Sequence, residues 1–307
     1  MAAWTSAGGS FGTTVTERPA LRAHLDQAAF VEAARFTAAK TGFDPRLVEK
    51  DYFCTLVLEQ LSGIDALVFK GGTCLAKVHA GFYRLSEDLD FAIATAVDAS
   101  RGARRSKVAQ VKAVFHELER RQPALRVAAP LSGANALRQY LATVAYTSLL
   151  SQRDETIKFE VALREPLLVH PVTAAAATLL LDPVGEEPLV ENVSVTCIAF
   201  AEAFAEKFRA ALTRREAASR DFFDIDWAVG RGLVTPDDPA LVSLVQSKVE
   251  VPGNAAVDIS AGRLAALRRQ LDLGLRPVLR PVDFAAFDLD RAFTIVSGMA
   301  AKIGTPR

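Results

Sequence analysis

The stretch 68–93, VFKGGTCLAKVHAGFYRLSEDLDFAI, constrains this chain more than any other. An apolar run ends at Gly71-Gly72, a short helical segment follows, and Ser86-Glu87-Asp88-Leu89-Asp90-Phe91-Ala92-Ile93 sets two carboxylates two residues apart on an expected strand. Alternate side chains of a strand share a face, so Asp88 and Asp90 should point one way while Leu89, Phe91 and Ile93 turn toward a core. Paired glycines let a backbone turn approach a phosphate closely, because no Cβ collides or resists a positive φ. Mg²⁺ takes one or two protein carboxylates together with phosphate oxygens. The order strand, glycine turn, helix, carboxylate strand therefore reads as half of a metal–nucleotide site. The plainer reading, D-x-D as solvated charge on an edge strand, does not explain why the glycine turn precedes it.

A length of 307 residues allows one large domain or two ordinary ones. With 50% hydrophobic and 23% charged residues, the core is ample for a soluble globular protein. Lys+Arg and Asp+Glu both number 36, so no global field draws nucleic acid or an anionic membrane, and such a partner needs a local patch. Cys54, Cys74 and Cys197 are odd in number and far apart, which argues against a disulfide framework or a zinc site and for a reducing cytoplasm. No segment resembles a signal peptide or a membrane span, so a cytoplasmic protein is expected.

Residues 1–20 read as a loose tail. A helix is expected from Leu25 to about Lys40, and a second opens at Asp44-Pro45 and runs through Leu61. Residues 66–69 read as a short buried strand and Asp98–Arg121 as a basic helical stretch. Strands follow at 125–128, 139–146 and 156–163, completing a mixed sheet. From about Phe200 the pattern turns helical. The expected architecture is α+β, with a domain over 21–195 and a mostly helical one over 196–307 that completes the site.

Three further features bear on chemistry. Glu160 shares a face with Lys158 in the strand IKFEV, and it can join Asp88 and Asp90 only if its strand lies beside theirs; otherwise it is surface charge. Three such carboxylates could hold two metal ions for an in-line displacement at phosphorus. On a continuous helix, Lys207, Arg214 and Asp221 would form a stripe with Asp224 beside it, while Phe204, Phe208 and Leu212 face the core. Lysine neutralises phosphate as a point charge and arginine grips it bidentately; the alternative is a basic face paired to its own acids. Ser86 could bond phosphate or cap a turn, and Arg84 could reach phosphate or pair with Glu87. Glu49-Lys50-Asp51-Tyr52 reads as an exposed turn, Cys74 as a buried thiol and the four histidines as structural, which leaves no hydrolase triad.

Together, KGGTCLAKVHAGFYRLSEDLDF, the upstream VEKDYF, the strand IKFEV and EKFRAALTRREAASRDFFDID resemble the AbiEii/AbiGii family of nucleotidyltransferase-like toxins, MenT-type toxins included, over roughly residues 25–230. The resemblance implies a DNA polymerase β-like nucleotidyltransferase core with a helical carboxy-terminal lobe. It implies Mg²⁺, with Mn²⁺ as an alternative, and an NTP substrate. Gly71 and Gly72 match the family's glycine turn, Ser86, Asp88 and Asp90 its serine and metal carboxylates, and Lys207 and Asp221 its lysine and arginine–aspartate motif. Glu160 falls at the third carboxylate of nucleotidyltransferases. A toxin acting on the 3′ end of tRNA and paired with a winged-helix AbiEi-type antitoxin is the implied function; the sequence leaves the oligomeric state open, with a monomer favoured. NTP binding without transfer, or nucleotidylation of a protein or small molecule, are the alternatives. Arg104, Arg105, Lys107, Arg214 and Arg215 are candidates for RNA phosphate contacts. Residues after about 230 match no motif.

Overall fold

A computed structural model describes residues 22–304, so the amino-terminal tail expected over 1–20 lies outside the described residues. Helix α1 (Gln27–Thr41) is opened by the Asp26 carboxylate, which accepts from Ala29 N at 3.1 Å. Helix α2 (Pro45–Leu61) starts at Pro45 with Asp44 accepting from Arg46 N at 2.8 Å. The proline fixes φ where a helix has no use for its amide, and the carboxylate satisfies an amide left free by the helix start. Both boundaries follow the sequence reading closely.

The sheet has seven strands: β1 (Val68–Lys70), β2 (Leu89–Ala92), β3 (Arg126–Ala134), β4 (Gln139–Thr147), β5 (Asp154–Ala162), β6 (Val172–Ala176) and β7 (Val193–Cys197). Their order across the sheet is β3-β4-β5-β2-β1-β7-β6. β2 runs antiparallel to β1 and parallel to β5, and β1 runs parallel to β7, so the sheet is mixed. Two strands escaped the sequence reading. β6 is an edge strand whose Thr and Ala residues lack the density of large apolar side chains that flags a strand, and the alternation of β7 spans only five residues.

Between β1 and β2 lie a one-turn helix, α3 (Gly71–Cys74), and a wide π-helical turn over Leu75–His79. The basic stretch before β3 forms two helices, α4 (Arg101–Lys107) and α5 (Ala109–Arg121), with Val111, Phe115 and Leu118 buried at spacings of four and three. Under the sheet, Phe69, Phe91, Phe159 and Phe115 form a chain of rings with centroids 5.2, 5.1 and 4.6 Å apart, linking β1, β2, β5 and α5. These are the inward residues of the alternation, and their burial turns Asp90 and Glu160 to the opposite face.

After β7 the chain is helical: α6 (Phe200–Thr213), α7 (Ser219–Gly230), α8 (Pro239–Val249), α9 (Ala261–Gln270), α10 (Pro281–Ala286) and α11 (Leu289–Ile303). In α11, Leu289, Ala292, Val296, Met299 and Ile303 are buried at alternating steps of three and four, one continuous apolar stripe. No helix among the described residues is long and apolar enough to cross a membrane.

Two sequence expectations need correction. Glu49, Lys50 and Asp51 are not an exposed turn but lie in the middle of α2, each buried. The helix through Lys207 and Asp221 is not continuous: Arg214 takes an extended backbone at ψ 136, and the stripe is divided between α6 and α7.

Candidate active site

Gly71 is the first residue of α3 and has φ +78, a left-handed conformation that costs an L-residue roughly 1–2 kcal/mol. A Cβ there would also overlap the Asp90 carboxylate, and one on Gly72 would lie 2.5 Å from Arg84 Nη2 and 3.0 Å from Ser86 Oγ. The glycine turn is therefore pressed against the carboxylate strand on one side and the Arg84–Ser86 segment on the other. Thr73 Oγ1 donates to the Asp88 carbonyl oxygen, tying α3 to the start of β2.

β2 and β5 are neighbours, and Asp90 stands opposite Glu160 in their register. Lys70 stands opposite Asp90 on the other side. Asp88 immediately precedes β2 and is partly exposed. Burial, then Glu160 and Asp88, raise the pKa of Asp90 to about 6, while Lys70 and Lys207 oppose the rise. Burial is the larger cause, and the neighbouring carboxylates add to it.

A cavity of about 390 Å³ opens over Asp90 and Glu160, while Asp88 and Ser86 lie outside its lining. Its walls include Lys70, Gly71, Gly72, Asp90 and Glu160 from the sheet side and Glu206, Lys207, Arg209 and Asp221 from the helices. Lys207 Nζ lies 3.0 Å from Asp221 Oδ1 and 2.8 Å from Asp224 Oδ2. Burial works against its charge, but Asp224 and Asp221 outweigh that and raise its pKa, so it is a held cation. Asp221 is correspondingly depressed: burial alone would raise it, and Lys207 and Arg214 reverse the sign.

Arg84 does not reach the cavity and does not pair with Glu87. It is 2% exposed, and its Nε and Nη2 grip Asp224 at 2.5 and 2.8 Å while Nη1 donates to Leu85 O at 2.9 Å. The guanidinium lies beneath Gly72 and joins the sheet side to α7, a supporting position rather than the phosphate contact the sequence suggested. Glu87 instead accepts from Lys50 at 2.9 Å and from Arg46 at 3.2 Å. Asp51 pairs with buried Lys77 at 2.6 Å and accepts from Thr178 Oγ1 and Leu179 N at 3.0 Å. Glu49 accepts from Ser148 Oγ and Leu149 N at 2.6 Å. The VEKDYF segment is thus a buried polar ridge of α2 that holds the loop before Asp88 and the residues between the glycines and β2.

Arg104 also departs from expectation. It is buried and donates to the carbonyls of Leu163, Val97 and Ala99, and Lys107 donates to Ala94 O at 2.9 Å. Arg214 and Arg215 line the cavity, and Arg105 is exposed on α4.

Sequence reasoning missed several cavity residues. Lys70 Nζ pairs with Glu206 Oε2 at 2.7 Å, and Glu206 also meets Lys248, a fully buried lysine on α8 that binds Glu202 Oε1 at 2.6 Å. Arg164 could have been found by carrying the alternation of β5 two steps beyond Glu160, through Ala162. Asn254 accepts from Arg164 Nη2 at 3.0 Å and donates to Lys248 O and Val249 O at 2.8 and 2.9 Å. Nothing local in the sequence marks that asparagine.

The sequence profile described as nucleotidyl transferase AbiEii toxin, type IV toxin–antitoxin system, matches residues 56–294. The chain belongs to the AbiEii nucleotidyltransferase toxin family. The fold agrees: MenT4, a nucleotidyltransferase toxin from Mycobacterium tuberculosis, superposes with a TM-score of 0.57 at 22% identity, covering 92% of each chain. JHP933 from Helicobacter pylori superposes with a TM-score of 0.50 at 16% identity, covering 85% of this chain and 93% of its own. No curated protein matches in sequence. Membership in the AbiEii family makes nucleotidyl transfer the class of chemistry and an antitoxin the implied partner.

Proposed function

We propose that the cavity binds a nucleoside triphosphate on Mg²⁺ and that the chain transfers the nucleoside monophosphate to an acceptor hydroxyl, the 3′ end of tRNA. The observation that carries this reading is the pairing of Asp90 with Glu160 across β2 and β5, with Gly71 on one side and Lys207 across the cavity. The donor set fits a hard divalent cation: it is all oxygen, burial followed by Glu160 and Asp88 holds the Asp90 proton up, and Asp90 and Glu160 open to a cavity that can take phosphate. Asp88, Asp90 and Glu160 would hold the ion, which when bound offsets phosphate charge and activates the attacking oxygen.

The chain's own residues do the rest. Gly71 and Gly72 let the triphosphate approach the backbone without a Cβ in the way, and Ser86 offers a hydroxyl beside Gly72. Lys207, fixed by Asp221 and Asp224, presents its charge to the phosphates; Asp221 positions it. Pyrophosphate leaves as the acceptor oxygen attacks the α-phosphorus, and the acceptor proton passes to a carboxylate or to solvent. Arg214 and Arg215 on the cavity rim meet the acceptor's phosphates. The resulting modified tRNA end cannot be aminoacylated, and a winged-helix AbiEi-type partner restrains the toxin.

The test is to incubate the purified chain with each α-³²P-labelled NTP and total cellular RNA or lysate. Label should enter tRNA with wild type and fall by two or more orders of magnitude with Asp88→Ala or Asp90→Asn, each folded by circular dichroism. Label in protein or small molecules overturns the tRNA acceptor. NTP-dependent thermal stabilisation without any labelled product overturns transfer itself.

A further inference from the structure

A second cluster of metal-ligating side chains lies behind the glycine turn, and none of its members lines the cavity. Cys74 ends α3, His79 ends the π-helical turn, and Cys197 ends β7; one ligand atom from each lies within 4.8 Å of the others. Cys74 and Cys197 are fully buried, and His79 is partly so. An ordinary α-helix places residues five apart on diverging faces, whereas a π-helix closes its hydrogen bond from i to i+5. Ala80 N donates to Leu75 O at 2.8 Å in that manner, and the wide turn carries His79 round toward the face of Cys74. β7 supplies the third member from a position 118 residues away from His79, with Sγ of Cys197 4.0 Å from His79 Nε2.

We propose that Cys74, His79 and Cys197 form a zinc site that anchors the glycine-turn helix to β7. Two thiolates and an imidazole are a soft, borderline donor set suited to Zn²⁺ or Cu⁺ and poorly suited to Mg²⁺. Two thiolate charges neutralise Zn²⁺ completely, so the loaded site is electrically neutral where it is buried; with Cu⁺ it would keep a net negative charge at a cost in desolvation. Zinc ligands at about 2.0–2.3 Å place their donor atoms somewhat under 4 Å apart, so the cluster closes with side-chain shifts below about 1 Å. Binding releases one proton from each thiol. His79 Nε2, now 2.9 Å from Ile198 O, must give up that bond, and its proton moves to Nδ1. The fourth position is left for water.

The site differs in ligand type and place from the carboxylate cavity and does not depend on the transfer reaction. Its effect on that cavity would be mechanical, because Cys74 lies two residues after Gly72 on the same short helix.

The reduced full-length chain, stripped by chelator, is titrated with Co²⁺ as an optical stand-in for Zn²⁺. The expected result is one Co²⁺ per chain with thiolate-to-cobalt charge-transfer bands, displaced by one equivalent of Zn²⁺, and a rise in Tm of several degrees with Zn²⁺. Cu⁺ displacing Zn²⁺ from the site at equal concentration assigns the copper ion and overturns zinc. Cys54→Ser, which alters the thiol outside the cluster, should keep the bands; Cys197→Ser and His79→Gln should lose or shift them. The wild-type titration decides even if a cysteine variant fails to fold. Absence of thiolate–cobalt bands in the reduced wild type overturns the proposal, as does their loss in Cys54→Ser or a chain whose only response is a Cys74–Cys197 disulfide on exposure to peroxide.

Discussion

In the proposed reaction Asp90 is a metal carboxylate, and its surroundings give it a measurable signature. Its pKa of about 6, raised by burial and by Glu160 and Asp88, means that half of the metal-free molecules carry a proton there near that pH. A cation must displace this proton, so at limiting Mg²⁺ transfer should rise with pH through about 6, and Glu160→Gln should move that limb to lower pH. Stability has the opposite sign. A carboxyl raised above its unfolded value favours the folded state at low pH and loses that contribution as pH climbs through about 6. Mg²⁺ should therefore raise Tm more at about pH 7.5 than at about pH 5, and thermal melts with and without the ion measure the difference. Gly71 is constrained twice, by φ +78 and by the Asp90 carboxylate. Gly71→Ala should cost about 1–2 kcal/mol in denaturant unfolding and abolish labelling, whereas a surface glycine such as Gly63, with open space around it, should tolerate alanine.

Between elements, ion pairs hold the helical layer to the sheet. Asp224 on α7 takes Arg84 from the loop before β2 and Lys207 from α6, and it is 0% exposed. Lys248 on α8 does the converse, gathering Glu202, Glu206 and Glu165. Removing one partner strands charges that cannot reach water, so Asp224→Ala should cost about 3–5 kcal/mol in chemical denaturation. The pKa values of Asp224 and Glu206 are pulled well below the usual carboxylate range because their cationic partners outweigh burial. Their stabilisation is present above about pH 4 and is lost as pH falls below it. Acid should then loosen α6 and α7 from the sheet, a change that Trp227, stacked on Tyr83 with centroids 4.2 Å apart, would report in fluorescence. These pairs also explain what the sequence could disclose. α2, β2, β5 and α6 were legible because caps and apolar alternation are local signals. The role of Arg84 was not, because its partner lies 140 residues away. The adjacency of β2 and β5 was the step on which Glu160 depended, and no local pattern encodes which strands pair. α11 carried a clear three–four stripe, but outside any motif it went unread.

At the scale of the whole molecule, a net charge of zero hides a local asymmetry. Lys70, Lys207 and Lys248 are locked to carboxylates, and Arg104 to backbone carbonyls, so none of them is available to nucleic acid without breaking a buried contact. Arg215 at the cavity rim is exposed, and Arg214 is held only loosely, 3.4 Å from Asp221 with more than half of its side chain in solvent. An RNA acceptor bound through Arg214 and Arg215 alone should show a shallow salt dependence, unlike that of a protein with a broad basic face. Each single-strand phosphate contact contributes a slope of about 0.7 in log K against log salt concentration. Replacing Arg214 and Arg215 together by glutamine should thus flatten the slope by about 1.4 and weaken binding to different tRNAs alike, since phosphate contacts carry no sequence information. Donor NTP affinity, which the proposed function assigns to the carboxylates, the glycines and Lys207, should change little. Filter binding across a salt series, beside NTP titration of the same variant, separates the two halves of the site. An unchanged RNA slope with weakened NTP binding would place these arginines on the donor side.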